Sequence, residues 1–441
     1  MNAPQAPQPR RLSPLTPVVR SFYLVVAFAL TSWDDVLRGD VGFLGWILLG
    51  LLVAGGVFGA VSWLRTSYVI DAGELRIETG LLGRRSRRIR VDRLQGVDVA
   101  QPFVARLLGV AELRFDVAAG GDEGKLAFLP LAEAEQVRRV LLARRDAARG
   151  IEAPPADAPP AQVLARLDLT RLVASILLSS ETGGFLVSAL AVGGLFAAFG
   201  AQGVGGAASL LTFVGGFLLA AVRRLAAFYD FTLTRSPAGL QVRRGLLDRN
   251  TATFVLHRVQ GVLVTEPWLW RSQGWARLDV AVARQERSDS NGDKGFTSTV
   301  LPVAPRAEVM AMARMLLTAS AGLPPERDLD PDAVPLAAPP EPARFVAPVR
   351  RRWLLGGAGE HLLVARHGWF TRRTHVVTHA RVQSLRLVQR PWQRPFGLAD
   401  LVVDSPPGPV GVRIRHRDAG AARVLLEDAR ERARDARALR G

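Results

Sequence analysis

The chain has no cysteine. That excludes disulfides, thiolate metal sites and a cysteine nucleophile. Lysine is almost missing too, with Lys125 and Lys294 the two present, so the positive charge is carried by arginine. No His-Glu-x-x-His, no Gly-x-Ser-x-Gly and no Walker-type glycine loop occurs. His375 and His379 stand four apart, but they fall on a strand and a turn rather than on one helix face. The expectation is therefore no enzyme, no metal centre and no cofactor. Nor is there a nucleic-acid recognition motif to go with the formal charge of +17. The arginine excess has two readings. It belongs to the Ala/Gly/Pro-rich composition, or it forms a basic face held against an acidic surface such as a membrane.

What the chain does have is repetition. Arg93-Leu94-Gln95 returns as Arg258-Val259-Gln260 and as Arg381-Val382-Gln383. Gly80, Gly245 and Gly368 each lie 15 residues before the glutamine, and Gly109, Gly274 and Gly397 each lie 14 after it. An arginine sits 11 after each glutamine, at Arg106, Arg271 and Arg394. One structural unit is therefore present three times. The glycines are expected at turns that need positive φ or close backbone approach. The glutamines are expected to satisfy backbone groups at a strand end.

The mean hydropathy is +0.15 although 22% of residues are charged, so apolar residues must gather in blocks. Residues 1–17 read as disordered, without a signal peptide. Residues 18–33 and 41–64 form a first transmembrane hairpin, domain 18–64. Residues 163–225 hold an interfacial amphipathic helix, 163–178, followed by a second hairpin at 183–199 and 204–222. The repeats occupy 66–148, 227–320 and 350–441, with Ala/Pro linkers at 149–162 and 321–345. Each repeat reads as short strands closed by one C-terminal helix. The proline linker leaves the third repeat free to meet soluble partners. Arginines before the first span and after the second put both termini and all repeats in the cytoplasm, by the positive-inside rule.

A surface site is expected at Arg84, Arg85, Arg87, Arg88 and Arg90, five arginines in seven residues close to a span. They face anionic headgroups or form a merely solvated strand. The tips Pro102-Phe103, Pro267-Trp268-Leu269-Trp270 and Pro391-Trp392 either dip into the lipid interface or plug the open end of each sheet.

With Tyr68-Val69-Ile70, Gly80-Leu81-Leu82, Arg93-Leu94-Gln95 and Leu107-Leu108-Gly109, this sequence resembles the bacterial membrane proteins with pleckstrin-homology (PH)-like domains, of the YdbT-like type. The resemblance covers roughly residues 18–440 and is weakest in the third copy. It implies an α+β membrane protein: three PH-like antiparallel β units, each capped by a helix, plus four transmembrane helices in two hairpins. It implies no enzyme. The expected role is binding or scaffolding at the bacterial inner membrane, with lipids, protein partners or self-association through the PH-like domains, and no nucleic acid. The alternative is lipid or solute handling, which the lack of buried charge in the spans argues against.

Overall fold

A computed structural model describes residues 10–11, 13–14, 43–71, 73–79, 85–117, 124–148, 162–199, 204–236, 239–282, 298–324, 326–405 and 408–438. The expected span at 18–33, Gly80, Arg84 and the linker residues 149–161 lie outside them.

The first repeat begins after strand β1 (Arg10–Arg11) and helix α1 (Phe43–Leu64). Strands β2 (Ser67–Ile70), β3 (Glu74–Thr79) and β4 (Arg85–Arg90) form one antiparallel sheet, in which β1 pairs with β2. Strand β5 (Leu94–Gln101), helix α2 (Phe103–Leu107), β6 (Val110–Val117) and β7 (Gly124–Pro130) follow, and helix α3 (Leu131–Ala148) closes the unit. In β3 the period-two pattern turns Leu75 and Ile77 inward, onto Tyr68, Ile89, Val97, Leu113 and Phe115. Ala134, Val137 and Leu141 of α3 share one helix face and seal that core.

The second repeat is preceded by β8 (Gln162–Arg166), α4 (Leu169–Leu177), α5 (Ser180–Phe199) and α6 (Val204–Phe228). It contains β9 (Thr232–Ser236), β10 (Gly239–Arg244), β11 (Arg249–Phe254), β12 (Val259–Pro267), α7 (Trp268–Ser272), β13 (Trp275–Val282), β14 (Thr299–Pro305) and the closing helix α8 (Arg306–Ala321). The third contains β15 (Leu355–Ala358), β16 (Leu362–His367), β17 (Thr371–Thr378), β18 (Ser384–Val388), β19 (Leu398–Asp404), β20 (Arg413–Asp418) and α9 (Ala419–Ala438).

The repeated glycines have a common job. Gly109, Gly274 and Gly397 sit at φ +69°, +65° and +60°, just after the short helical turn. Each offers its carbonyl to the first N–H of the closing helix: Leu131, Arg306 and Ala419 donate at 3.1, 2.7 and 2.8 Å. That carbonyl satisfies one of the amides a helix N-terminus leaves unpaired. The glutamines mark a second shared device. The β5–β6 ladder slips between Leu94 and Gly96, and the β12–β13 ladder slips between Val259 and Gly261. Gln95 and Gln260 are thus the extra residues of a β-bulge, which bends the strand.

The chain divides into two compact units. The first comprises residues 1–160 and the strand segment Leu247–Thr253. There β11 lies antiparallel to β5, with Arg249 opposite Gln101 and Thr251 opposite Val99. So the first repeat holds a strand whose sequence belongs to the second. The second unit comprises residues 161–246 and 254–441. In it β17 of the third repeat lies antiparallel to β12 of the second over seven residue pairs, from Gly261–Val377 to Pro267–Thr371.

Three expectations change. Arg10–Arg11, inside the stretch 1–17 expected to be disordered, form a strand paired with Tyr68 and Ser67, because β2 offers an open edge there. Residues 162–166 are a strand paired with β9, and the amphipathic helix starts only at Leu169. The short apolar stretch serves a strand here because β9 offers an open edge. On α4, Leu172 and Ile176 are buried while Leu169, Val173 and Leu177 are exposed. The proline-rich segment after α8 is no loose tether either. Leu329 and Val334 are buried, Ala337 bridges to Gly356, and Asp332 accepts from Arg306 and Arg366 at 2.5 and 2.6 Å. The third repeat is held by that segment and by the β12–β17 ladder, so it is not a freely hung domain.

Helices α1, α5 and α6 fall where apolar spans are expected. Among the described residues no single helix is long and apolar enough to cross a membrane. One bent pair, Leu169–Leu177 with Glu181–Gly194, meets the length and composition together, with a 42° bend.

Candidate functional site

The β12–β17 ladder ends at Glu266–Arg372 and Pro267–Thr371. An open groove of about 690 Å³ lies at that end, within the second unit. Arg271 on α7, Arg306 at the start of α8 and Arg372 on β17 line it, with Trp268, Trp275, Trp353 and Trp369 around them. The local chain explains the placement. Pro267 caps α7 from an extended conformation, so the ladder turns at once into a helical turn that carries Trp268 and Arg271. The Gly274 carbonyl then seats Arg306 beside it.

The charges are unevenly paired. Glu266, almost wholly buried, accepts from Arg306 Nε at 3.0 Å and lies 3.9 Å from Arg372. Asp332 is shared by Arg306 and Arg366. Burial works against the Arg306 charge, but Asp332 and then Glu266 outweigh it and hold its pKa above the ordinary value. Arg271 is held differently. Burial and then the positive charge of Arg372 pull its pKa down, against the attraction of Glu266. One Arg271 terminal nitrogen donates to the Trp369 carbonyl at 2.7 Å, and its buried Nε has no hydrogen-bond partner. The groove therefore carries positive charge beyond what its carboxylates neutralise, beside indole faces. Such a surface suits an anionic group attached to apolar material.

The arginines of β4 lie elsewhere, in the first unit. Arg88 and Arg90 are exposed, and Arg90 donates to Asp92 at 2.8 Å. Arg85 and Arg87 belong to the same strand. Of the signature glutamines, Gln260 is buried and donates to the Arg258 carbonyl at 3.2 Å, while Gln383 is exposed just before β18. Gly245 and Gly368 sit at φ +114° and +101°.

The tip aromatics differ in burial. Trp270 is buried, donating its indole N–H to the Ser175 carbonyl of α4 at 3.0 Å beneath the Arg224 guanidinium. Phe103, Trp268 and Trp392 remain exposed. The histidines are packed, not gathered. His375 stacks on His367 with ring centroids 5.1 Å apart and accepts from the Gly411 N–H at 3.1 Å. Burial, then neighbouring positive groups led by Arg415 for His367 and His367 for His375, push both down to about 4. His379 is turned away, against the Gly359 carbonyl. Among the described residues no group of three or more metal-ligating side chains is placed to hold an ion.

Arg271 was marked in the sequence by its place in the repeat. Glu266, Arg306, Trp353, Trp369 and Arg372 were not, because nothing local signals that segments about a hundred residues apart meet.

Comparison with known proteins follows the same threefold division. The family model described as "Bacterial PH domain" matches residues 22–145, 174–319 and 344–433. The chain is also 22% identical over 304 residues to the "UPF0699 transmembrane protein YdbT" of Bacillus subtilis (strain 168). That match spans 62% of this chain and 61% of the relative's length. Three matched repeats, each built of strands closed by a helix, place the chain in the bacterial PH domain family.

Proposed function

We propose that the protein is a non-enzymatic binding and scaffolding module at the cytoplasmic surface of the bacterial inner membrane. The PH repeats, and a relative named as a transmembrane protein, indicate a membrane-associated protein. Large apolar side chains on the helices support it. Phe43 is 81% exposed and Leu190 77%, so they need apolar surroundings that the described residues do not supply. The helices are read as two hairpins, with termini and repeats on the cytoplasmic side, from the arginine distribution. Reporter fusions after residues 150, 320 and 441 are expected to report cytoplasm, and one within residues 200–203 the outside. An external signal at 150 overturns the four-span arrangement.

The observation that carries the binding role is the arginine–tryptophan groove. Its ligand is read as an anionic headgroup or an equivalent acidic group with an apolar flank. The test is to titrate short-chain phosphatidylglycerol into the detergent-solubilised full chain and follow tryptophan emission. A saturable change is expected, weakening as salt screens the charges. Arg271→Gln with Arg372→Gln should weaken it about tenfold to a hundredfold, the loss of one or two charge-assisted contacts. Equal binding of short-chain phosphatidylcholine, or an unchanged titration in the double variant, rejects the groove as an anion site.

A further inference from the structure

The same joint between repeats is made twice inside this chain. In one, the third strand of the second repeat, β11, pairs with β5 of the first, Arg249 opposite Gln101. In the other, the third strand of the third repeat, β17, pairs with β12 of the second, Arg372 opposite Glu266. The two joints share one register. Arg249 and Arg372 each stand four residues after the signature glycine, at Gly245 and Gly368. Gln101 and Glu266 each stand six after the signature glutamine, at Gln95 and Gln260.

That leaves one strand of each kind over. In the first repeat the third strand is β4, and it ends the sheet order β1-β2-β3-β4. In the third repeat the counterpart of β5 and β12 is β18, and it ends the order β18-β19-β20. Among the described residues neither has a second strand beside it. The side chains of β12 are buried almost without break, whereas Ser384 and Arg386 of β18 are exposed and Leu387 and Val388 half-buried. The sequence repeats the matching features at both free edges, with Arg84 four after Gly80 and Gln389 six after Gln383. An uncovered strand edge is a template for another strand.

We propose that β4 of one copy of this chain pairs antiparallel with β18 of a second copy, in the register already used at the two internal joints. Arg87 then falls opposite Arg386, Ser86 opposite Leu387 and Arg88 opposite Leu385. The occupant is a second copy because each free edge is the counterpart of a strand whose partner this chain already contains. The facing arginines are tolerated because Arg386 is neutralised by Asp404 at 2.5 Å. The arginines of β4 would also discourage strands that bring no matching carboxylate or register. The two surfaces differ, so the contact is head-to-tail. It makes closed rings or open filaments of PH repeats, according to the rotation per copy. This assembly does not depend on what the groove binds, since losing groove binding leaves the strand joint intact.

The absence of native cysteine makes the test clean. Full-length Arg87→Cys and Arg386→Cys chains are mixed in detergent, reconstituted and mildly oxidised. Paired strand residues lie within disulfide reach, and their neighbours point to the other face. The expected product is a disulfide-linked species of twice 47.7 kDa. It should form several-fold more than from Arg88→Cys with Arg386→Cys, which is one residue out of register. A chain carrying both Arg87→Cys and Arg386→Cys should give a ladder of linked copies. Equal yields from the two pairs, no linked dimer, or a doubly substituted chain that closes only on itself overturns the proposal.

Discussion

Gly368→Val unfolds the third repeat. Gly368 sits between β16 and β17 at φ +101°, a backbone region closed to side chains that carry a Cβ. A Cβ there would lie 2.0 Å from the Thr371 carbonyl oxygen, which is fixed backbone and cannot swing away. Relief requires the turn to open. The turn aligns β16 with β17, and β17 in turn joins the third repeat to β12. Strain and overpacking add to a loss of about 3–5 kcal/mol. Gly397→Ala is the control. It has the same sign of φ, +60°, but open space around the added atom, so only the left-handed backbone cost of roughly 1–2 kcal/mol applies. Urea unfolding of the full chain, with limited proteolysis to locate the damage, measures both. If the Gly368→Val midpoint moves by less than about 2 °C in a thermal scan, the turn is not holding the joint.

Asp400→Ala is expected to cost nearly as much, for a different reason. The Asp400 carboxylate on β19 is almost fully buried and accepts four hydrogen bonds. Arg413 donates from Nε at 3.0 Å and from a terminal nitrogen at 2.7 Å. Gln393 donates at 2.7 Å, and the His416 backbone N–H at 2.8 Å. These contacts tie β20 and the turn before β19 to a single acceptor. Removing it strands the Arg413 charge and the Gln393 amide in a half-dry interior. Breaking one side of such a pair costs about 3–5 kcal/mol. Asp404→Ala is the informative comparison. Its pair with Arg386 is just as short, but water reaches it, so little stability should be lost. Asp400→Asn keeps the shape and part of the hydrogen bonding, and should fall between. If denaturant unfolding finds Asp400→Ala no worse than Asp404→Ala, burial does not set the value of these bonds.

The sequence alone determined the threefold repeat, the short strands, the closing helices and the apolar blocks. Each of these is written locally. Leu75 and Ile77 alternate, Ala134, Val137 and Leu141 recur at helical spacing, and Gly109, Gly245, Gly274, Gly368 and Gly397 stand where φ must be positive. The bulge at Gln95 and Gln260 announced itself only as a spacing, since a bulge is recognised by the strand lying opposite.

Tertiary structure decided the rest. Strands 162–166 and 249–254 depend on edges offered by segments far along the chain, and any extended peptide can pair through its N–H and C=O groups. Pairing of that kind leaves no side-chain signature, so the joints between repeats were illegible before the ladders were seen. The groove is illegible for the same reason. Arg271, Arg306 and Arg372 become one charged site only because β17 lies on β12 and brings Trp369 over α7. The packing of the proline-rich segment was equally hidden. Its composition marks an irregular backbone, but Asp332 finds Arg306 and Arg366 only when both repeats are folded around it.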